Sequence, residues 1–344
     1  MQLQENENQK FRKLQVTGRS SYILSLPKEW VEENGIKRGD TLVVQRDPDG
    51  FLRVAPLNSK SLLRETVNEI VVDDLSKEEL EAMIIGNYSM GVNCFRLVTG
   101  RETFTLSQRK TVKNILRLLL GLRIVSESPT VIEVKSLLNP EDFNVWDELK
   151  RIGQLTNLLL RDLIQTLRER RSDVKDIIAQ DEEIDRSYLL MRRLLTIGSR
   201  SVVVAKKIGV GSSDVCVVWS VIFKRMETLA DYMVEMAKVI PDIEYDKLPE
   251  EVFKAFLDIC DYLLKRYEAD LKPIEKAPHE LTPVELRPDR FEKLKARLVE
   301  TEIEHSVDTR TLIALENICF YIKEIIRTLS EYLRAFTYYI QYLS

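Results

Sequence analysis

The stretch TGRSSYILSLPKEW, residues 17–30, joins a basic turn to a half-apolar strand and then to the start of a helix. Tyr22, Leu24 and Leu26 alternate with other residues, which predicts a strand with one apolar face. Pro27 suits the first turn of a short helix. The segment is either an incidental fragment or the entry to a nucleic-acid-binding module.

The residues after this stretch predict a small β-rich domain over residues 1–57. IKRGD is typical of a turn, TLVVQ of a strand, DPDG of a second turn and FLRVAPL of a closing strand. Such a short segment has too little apolar surface for a core of its own. We therefore expect two copies to interlock, which would make the chain an obligate homodimer.

Positive charge is concentrated at the start of this domain. Five cationic residues and no acidic residue lie between Lys10 and Lys28. A dimer would double this patch, and lysine and arginine side chains could then contact DNA phosphates and base edges. The alternative is a solvated strand edge that its charges protect from aggregation.

The motifs of this segment resemble the AbrB/SpoVT swapped-hairpin family. The matching residues are RK at 12–13, GR at 18–19, LP at 26–27 and GIKRGD at 35–40. The resemblance implies an interlaced dimeric β-barrel that binds DNA through cationic residues of the first strand and the following turn. Those positions are occupied here by Arg12, Lys13 and Arg19. The sequence VEE at 31–33 departs from relatives that carry further arginines in this helix.

The bulk composition excludes several classes of protein. A chain of 344 residues with 44% hydrophobic and 31% charged residues predicts two or three folded domains. A net charge of −4 argues against a protein that coats DNA along its whole surface. No run of apolar residues is long enough to insert into a membrane, and the first ten residues lack an apolar signal core. We expect a cytoplasmic protein.

The cysteine and histidine content argues against an enzyme and against a zinc site. The four cysteines are scattered without a C-x-x-C pair, which favours reduced thiols. Only two histidines are present, and neither a Gly-rich phosphate loop nor a nucleophile beside a base is evident. We expect no catalytic residues.

Residues 61–138 follow a different pattern. Their predicted order is β-α-β-α-β-β, which indicates a small α/β sandwich with helices on one face. We interpret this domain as a rigid connector or dimerisation element, and a small-molecule sensor is the alternative.

Residues 141–344 predict only helices, about six long ones in two groups of three, at about 141–243 and 246–344. An apolar stripe recurs with a shift of 89 positions. The first copy consists of Val218, Ile222, Met226, Leu229, Met233, Met236 and Ile240. The second consists of Val307, Thr311, Leu315, Ile318, Ile322, Ile325 and Leu329. The predicted architecture is therefore multidomain α+β with a C-terminal pair of three-helix bundles.

Two carboxylate pairs are candidate metal ligands. Asp181 and Asp185 are four residues apart, and Glu227 and Asp231 have the same spacing on a later helix, so each pair shares a helix face. Four such oxygen donors would suit a divalent or iron cation. Asp181 interrupts an apolar stripe and so needs a cation or a basic partner.

The alternatives to a metal are local. Arg192 or Arg225 could neutralise Asp181. Glu227 and Asp231 lie away from the apolar stripe of their helix and could belong to an ordinary solvated face.

The helical region resembles the PhoU family, and a swapped-hairpin domain followed by such bundles is similar to archaeal PhoU-type regulators. The stretch FKRMETLADYMVEMAKVI at 223–240 keeps the Glu and Asp of a family motif. The resemblance implies metal clusters held by such pairs and a role in phosphate-uptake signalling. In the second half LENICF keeps Glu316 but has Phe320 in place of the Asp, so that cluster should be absent or incomplete. Glu300 and Glu304 are further candidates there.

The sequence thus predicts a DNA-binding transcriptional regulator of phosphate homeostasis with a metal- or effector-responsive helical domain. The alternative is an adaptor that binds a phosphate-transporter ATPase or a sensor kinase and does not bind DNA. The VEE helix and the net charge of only +1 over residues 1–57 favour the adaptor.

Overall fold

The computed structural model describes residues 12–18, 21–46, 51–56, 68–272 and 291–343. The chain divides into two compact units, residues 1–66 and residues 67–344.

The N-terminal unit consists of two hairpins and one short helix. Strand β1 (Gln15–Thr17) pairs antiparallel with β2 (Ser21–Ile23). Helix α1 (Lys28–Glu33) follows, and β3 (Leu42–Arg46) pairs antiparallel with β4 (Leu52–Pro56).

This unit differs from the sequence prediction in two details. The strand expected to run through Leu26 ends at Ile23, and β1 was not predicted. Pro27 is the N-cap of α1 and not its first helical residue. Its fixed φ, −60° here, still suits the entry to a helix.

Apolar side chains of this unit remain exposed. None of its side chains that the structure describes is buried, and Tyr22 is 68% exposed. Leu14, Val16, Leu24 and Phe51 are also exposed. A single copy of this unit therefore has no hydrophobic core among its described residues, as its length led us to expect.

The second unit begins with an α/β sandwich in the predicted element order. Its elements are β5 (Asn68–Val71), α2 (Lys77–Ser89), β6 (Cys94–Val98), α3 (Leu106–Leu118), β7 (Leu122–Glu127) and β8 (Val131–Ser136). The strand order is β5-β6-β8-β7, with β5 parallel to β6 and the other pairs antiparallel. Capping boxes at Ser76 and Thr105 fix where α2 and α3 begin.

Helices make up the remainder of the described chain. The six long helices are α4 (Val145–Arg168), α6 (Asp181–Arg200), α8 (Cys216–Val239), α9 (Glu250–Leu271), α10 (Phe291–His305) and α11 (Thr309–Leu343). Two short helices, α5 (Lys175–Ala179) and α7 (Val202–Lys207), lie between the first three.

All six long helices contribute to one continuous hydrophobic core. Helix α8 packs along α11, although the two belong to different predicted repeats. The repeated stripe lies in this core: every member is buried except the first of each copy, Val218 and Val307. Thr311, the one polar member, accepts a hydrogen bond from the Glu244 backbone N–H at 2.9 Å, which satisfies its buried hydroxyl.

Two further expectations concern cysteines and membranes. All four cysteines are free thiols. Among the described residues, no helix combines the length and apolarity that crossing a bilayer requires.

Candidate functional site

The cationic residues of the N-terminal unit lie beside its first hairpin. Arg12 and Lys13 are exposed and come immediately before β1. Arg19 follows Gly18, whose φ of +67° places the chain in the left-handed region, but Arg19 itself lies outside the described residues. The structure therefore places two of the three predicted DNA contacts, both in solvent.

The acidic residues of α1 are partly compensated. Lys28 and Glu32 form an exposed ion pair at 3.5 Å, one helical turn apart. An exposed pair of this kind is worth little in stability, but it places a positive charge beside the Glu32 carboxylate. Glu32 is thus a weaker source of repulsion toward a phosphate than its charge alone suggests.

The predicted carboxylates meet where α6 packs against α8. Asp181 and Asp185 lie on the first two turns of α6, and Asp231 lies on α8. Oxygen atoms of these three side chains all lie within 4.8 Å of one another. Glu227, one turn before Asp231, is buried at 8% exposure and does not belong to this converging set.

The electrostatics of this cluster favour proton or cation binding. Burial, followed by the charges of Asp181 and Glu227, raises the pKa of Asp185 to about 6. Burial and the Glu227 carboxylate raise the pKa of Asp231 to about 7. The pKa of Asp181 is raised for the same two reasons. Each aspartate resists ionisation chiefly because it is poorly solvated, and the negative charge of Glu227 adds to the effect in all three cases.

Neither arginine considered as a partner for Asp181 occupies that role. Arg225 pairs with Glu331 at 3.0 Å, and Arg192 is exposed. The charge of Lys238 does lower the pKa of Asp181, although the Lys238 ammonium is paired with Glu235 at 2.6 Å. One oxygen of Asp181, Oδ1, is buried without a hydrogen-bond partner in the part of the chain that the structure describes. A buried oxygen without a partner is costly, so this oxygen favours a cation or a proton.

Lys224 contacts the carboxylate cluster, and the sequence reasoning missed it. Its ammonium donates a hydrogen bond to Glu227, and it lowers the pKa values of both Asp185 and Asp231. The signal was the K-x-x-E spacing within KRMETLAD, which places Lys224 and Glu227 on one helix face. Lys224 therefore compensates only part of the negative charge around the three aspartates.

The residues present fit a hard divalent cation. Three carboxylates converge, one of their oxygens lacks a partner, and their charge is only partly compensated by Lys224. Asp181, Asp185 and Asp231 would hold such a cation, and Glu227 would add negative charge beside it. The solvated-face alternative for Glu227 is wrong, because that side chain is buried.

The corresponding region of the second repeat is arranged differently. Phe320 is 56% exposed, and Glu300 and Glu304 also face solvent. The buried acid is Glu302, which sequence reasoning passed over; burial and Glu316 raise its pKa to about 7. Lys295 bonds to Glu316 at 2.8 Å, so an ammonium group supplies positive charge there.

Comparisons with known proteins bear on the N-terminal unit. Residues 15–62 match the family model described as antidote-toxin recognition MazE, bacterial antitoxin. This segment is therefore similar to the MazE/AbrB class of domains, which are typically dimeric and bind DNA. No curated protein and no solved structure matches the chain.

Proposed function

We propose that this chain is a homodimeric, DNA-binding transcriptional regulator whose helical region responds to a bound cation. The observation that supports it most is the MazE-like match over a segment that has no buried side chain among its described residues. A second copy would cover the exposed apolar side chains and bring two cationic hairpins onto one assembly.

The DNA surface in this proposal is formed by Arg12, Lys13 and Arg19 from both copies. Each cation that neutralises a phosphate releases counterions, so DNA affinity should fall steeply as salt rises. The test is a gel-shift titration of genomic fragments with the full chain at several salt concentrations.

Replacing Arg12, Lys13 and Arg19 one at a time by alanine should weaken binding and reduce the salt slope by about 1 for each lost phosphate contact. Lys254→Ala serves as the matched control, because Lys254 is an exposed lysine on α9. Unchanged affinity in all three variants would show that these residues do not form the DNA-binding surface.

The helical region, in this proposal, holds a divalent or iron cation between Asp181, Asp185 and Asp231. Binding would relieve repulsion among carboxylates whose pKa values are raised, and so stabilise the junction of α6 and α8. Added Mg²⁺, Mn²⁺ or Fe²⁺ should raise the melting temperature of metal-free protein, most strongly for the preferred ion.

Asp231→Asn should abolish that increase, whereas Asp176→Asn, on the exposed side of α5, should leave it intact. Elemental analysis of protein purified without chelator gives an independent measure. Less than one equivalent of metal, with no thermal response to any of the three ions, would contradict the cation site.

A role in phosphate homeostasis is supported by the resemblance of METLAD and its surroundings to PhoU-type motifs. Sequencing of DNA recovered with the protein from cells, in high and low phosphate, tests this role. Enrichment near phosphate-transport genes is expected, and enrichment unrelated to phosphate supply would contradict the pathway while leaving DNA binding in place.

The adaptor is the second candidate, and its supporting observation is the near-neutral N-terminal segment with its acidic α1. In that case the N-terminal unit only joins two copies, and the bundles dock on a transporter ATPase or sensor kinase. Affinity purification from phosphate-replete cells would then recover such a protein and no specific DNA.

A further inference from the structure

A cleft between α4 and the end of α9 is lined by residues that none of the motifs above uses. Its volume is about 480 Å³, within the range of small-molecule sites. The α4 side contributes Lys150, Gly153, Gln154, Asn157 and Arg161, and the α9 side contributes Glu268, Leu271 and Lys272. The α4 residues recur every three or four positions, so they share one face of that helix.

The charge of this cleft is opposite to that of the chain. It contains three cationic side chains and one carboxylate, whereas the whole chain has a net charge of −4. Arg161 is paired with Glu268, which holds its guanidinium at the cleft. Lys150 and Lys272 form no ion pair with any residue that the structure describes. Two ammonium groups that have no ion-pair partner in the described ranges therefore face a shared space and favour an anion there.

The neutral polar groups of the cleft indicate more than a bare anion. Asn157 Oδ1 is buried and has no hydrogen-bond partner within the described chain. An amide oxygen accepts hydrogen bonds only, so the group that satisfies it must carry an O–H or N–H. Gln154 offers a second side-chain amide nearby, and Leu271 offers apolar contact.

The type of anion follows from charge and size. A phosphate monoester carries about −1.5 to −2 charges at neutral pH, which matches the charge of the two ammonium groups of Lys150 and Lys272. Lysine and arginine side chains are the usual protein partners of phosphate oxygens. The volume of the cleft leaves room for an organic part that reaches Asn157.

We propose that this cleft binds a phosphate monoester of a small polar molecule, such as a sugar phosphate or a nucleoside monophosphate. The phosphate contacts Lys150, Lys272 and Arg161, and a hydroxyl or amino group of the organic part donates to Asn157. This site is independent of the DNA surface and of the aspartate cluster.

Isothermal titration calorimetry of the full chain tests the site without DNA. The probes are adenosine 5′-monophosphate, glucose 6-phosphate, adenosine, glucose and inorganic phosphate. At least one monoester should bind with one site per chain, and at least tenfold more tightly than both its unphosphorylated parent and inorganic phosphate. Comparing the two monoesters decides which organic part the cleft accepts.

Variants then locate the binding. Lys150→Gln and Lys272→Gln should each weaken the bound monoester at least tenfold, and Asn157→Ala should weaken it without changing affinity for inorganic phosphate. Lys254→Gln removes the same charge from an exposed position elsewhere on α9 and should change nothing. Unaltered melting temperatures would show that each variant is folded.

Three results would overturn the proposal. They are the failure of both monoesters to bind at millimolar concentration, equally tight binding of inorganic phosphate, and full binding by both lysine variants. A loss of DNA binding has no bearing on any of them, so this proposal and the regulator proposal fail separately.

Discussion

Asp231 and Phe320 occupy corresponding positions 89 residues apart, and their surroundings show what one substitution does to a charged site. Asp231 meets Asp181 and Asp185 in a cluster of carboxylates whose pKa values are raised. Phe320 lies in solvent, and Lys295 pairs with the remaining Glu316. A covalently attached ammonium can compensate a carboxylate that has lost an acidic partner, whereas the buried Glu302 Oε1 has no hydrogen-bond partner in the described chain.

The raised pKa of the single residue Glu302 predicts that the stability of the protein depends on pH. Its pKa is raised to about 7 by burial and by Glu316, from an ordinary value of 4.5. Below pH 4 this carboxyl is protonated in both states and has no effect. As pH rises toward 7 the unfolded chain loses that proton first, so the free energy of unfolding decreases.

Glu302→Gln should therefore flatten the loss of stability between pH 5 and pH 8, because glutamine keeps the shape without the charge. Thermal or urea unfolding at the two pH values measures this. Glu300→Gln, two residues away and exposed, is the matched control and should retain the wild-type pH dependence. Equal slopes for the two variants would exclude Glu302 as the titrating group.

At the scale of elements, α6 connects the aspartate cluster to the α/β sandwich. Its first turns carry Asp181 and Asp185, and its middle carries Arg193, a fully buried arginine at 1% exposure. The Arg193 guanidinium donates to the carbonyls of Tyr88 at 2.8 Å and Val92 at 3.0 Å. One helix therefore contacts both parts of the second unit, and a cation at its start would act on an element already fixed to the sandwich.

Arg193→Met should destabilise the protein by several kcal/mol, since each buried carbonyl left without a donor costs about 1–3 kcal/mol. Urea unfolding of the metal-free chain measures the change. Arg192→Met alters the exposed neighbour and should stay within about 0.5 kcal/mol of wild type. Similar effects at both positions would mean that Arg193 does not hold the two parts together.

Gly91 lies where the α/β sandwich packs against α6, and the packing there leaves no room for a side chain. Its φ is +80°, and an added Cβ would lie 2.6 Å from Ile197 Cγ1 of α6. Gly91→Ala should lower the melting temperature, because alanine is strained at this positive φ and because its Cβ would clash with Ile197. Gly86→Ala should raise it slightly, because Gly86 lies within α2 and an added Cβ meets nothing within 4 Å.

Local sequence patterns predicted the helices and strands, whereas the surroundings of the site residues depend on contacts between residues distant in sequence. Breaks between helical segments predicted about six long helices, and the spacing of apolar residues predicted the recurring stripe, since that spacing reflects the buried face of a helix. The same spacing left a solvated face open as the alternative for Glu227, and that alternative is wrong because the side chain is buried outside the main stripe. The contacts of Arg193 lie about a hundred residues away in sequence, so no local pattern could indicate them.

Sequence patterns also predicted only part of the N-terminal unit that carries the candidate DNA-binding residues. The β-rich character of residues 1–57 and the cationic start of the first hairpin follow from the sequence alone. The extra strand β1 did not, because its three residues are too few for alternation to be recognised.

At the scale of the whole molecule, the N-terminal unit is the part whose described apolar side chains remain exposed in a single copy. Val16, Tyr22 and Leu24 are all more than half exposed, and β1 and β2 are too short to be stable as an isolated hairpin. Pairing with a second copy would cover these side chains and place two basic hairpins on one surface. DNA binding by this account therefore requires the dimer.

The most direct measurement is the mass of the purified full chain in solution, by light scattering coupled to size-exclusion chromatography at micromolar concentration. We expect a mass of twice the 40.0 kDa of one chain, and a shift toward one chain when both Tyr22→Glu and Leu24→Glu are introduced. A mass of 40.0 kDa for the unaltered protein would contradict it.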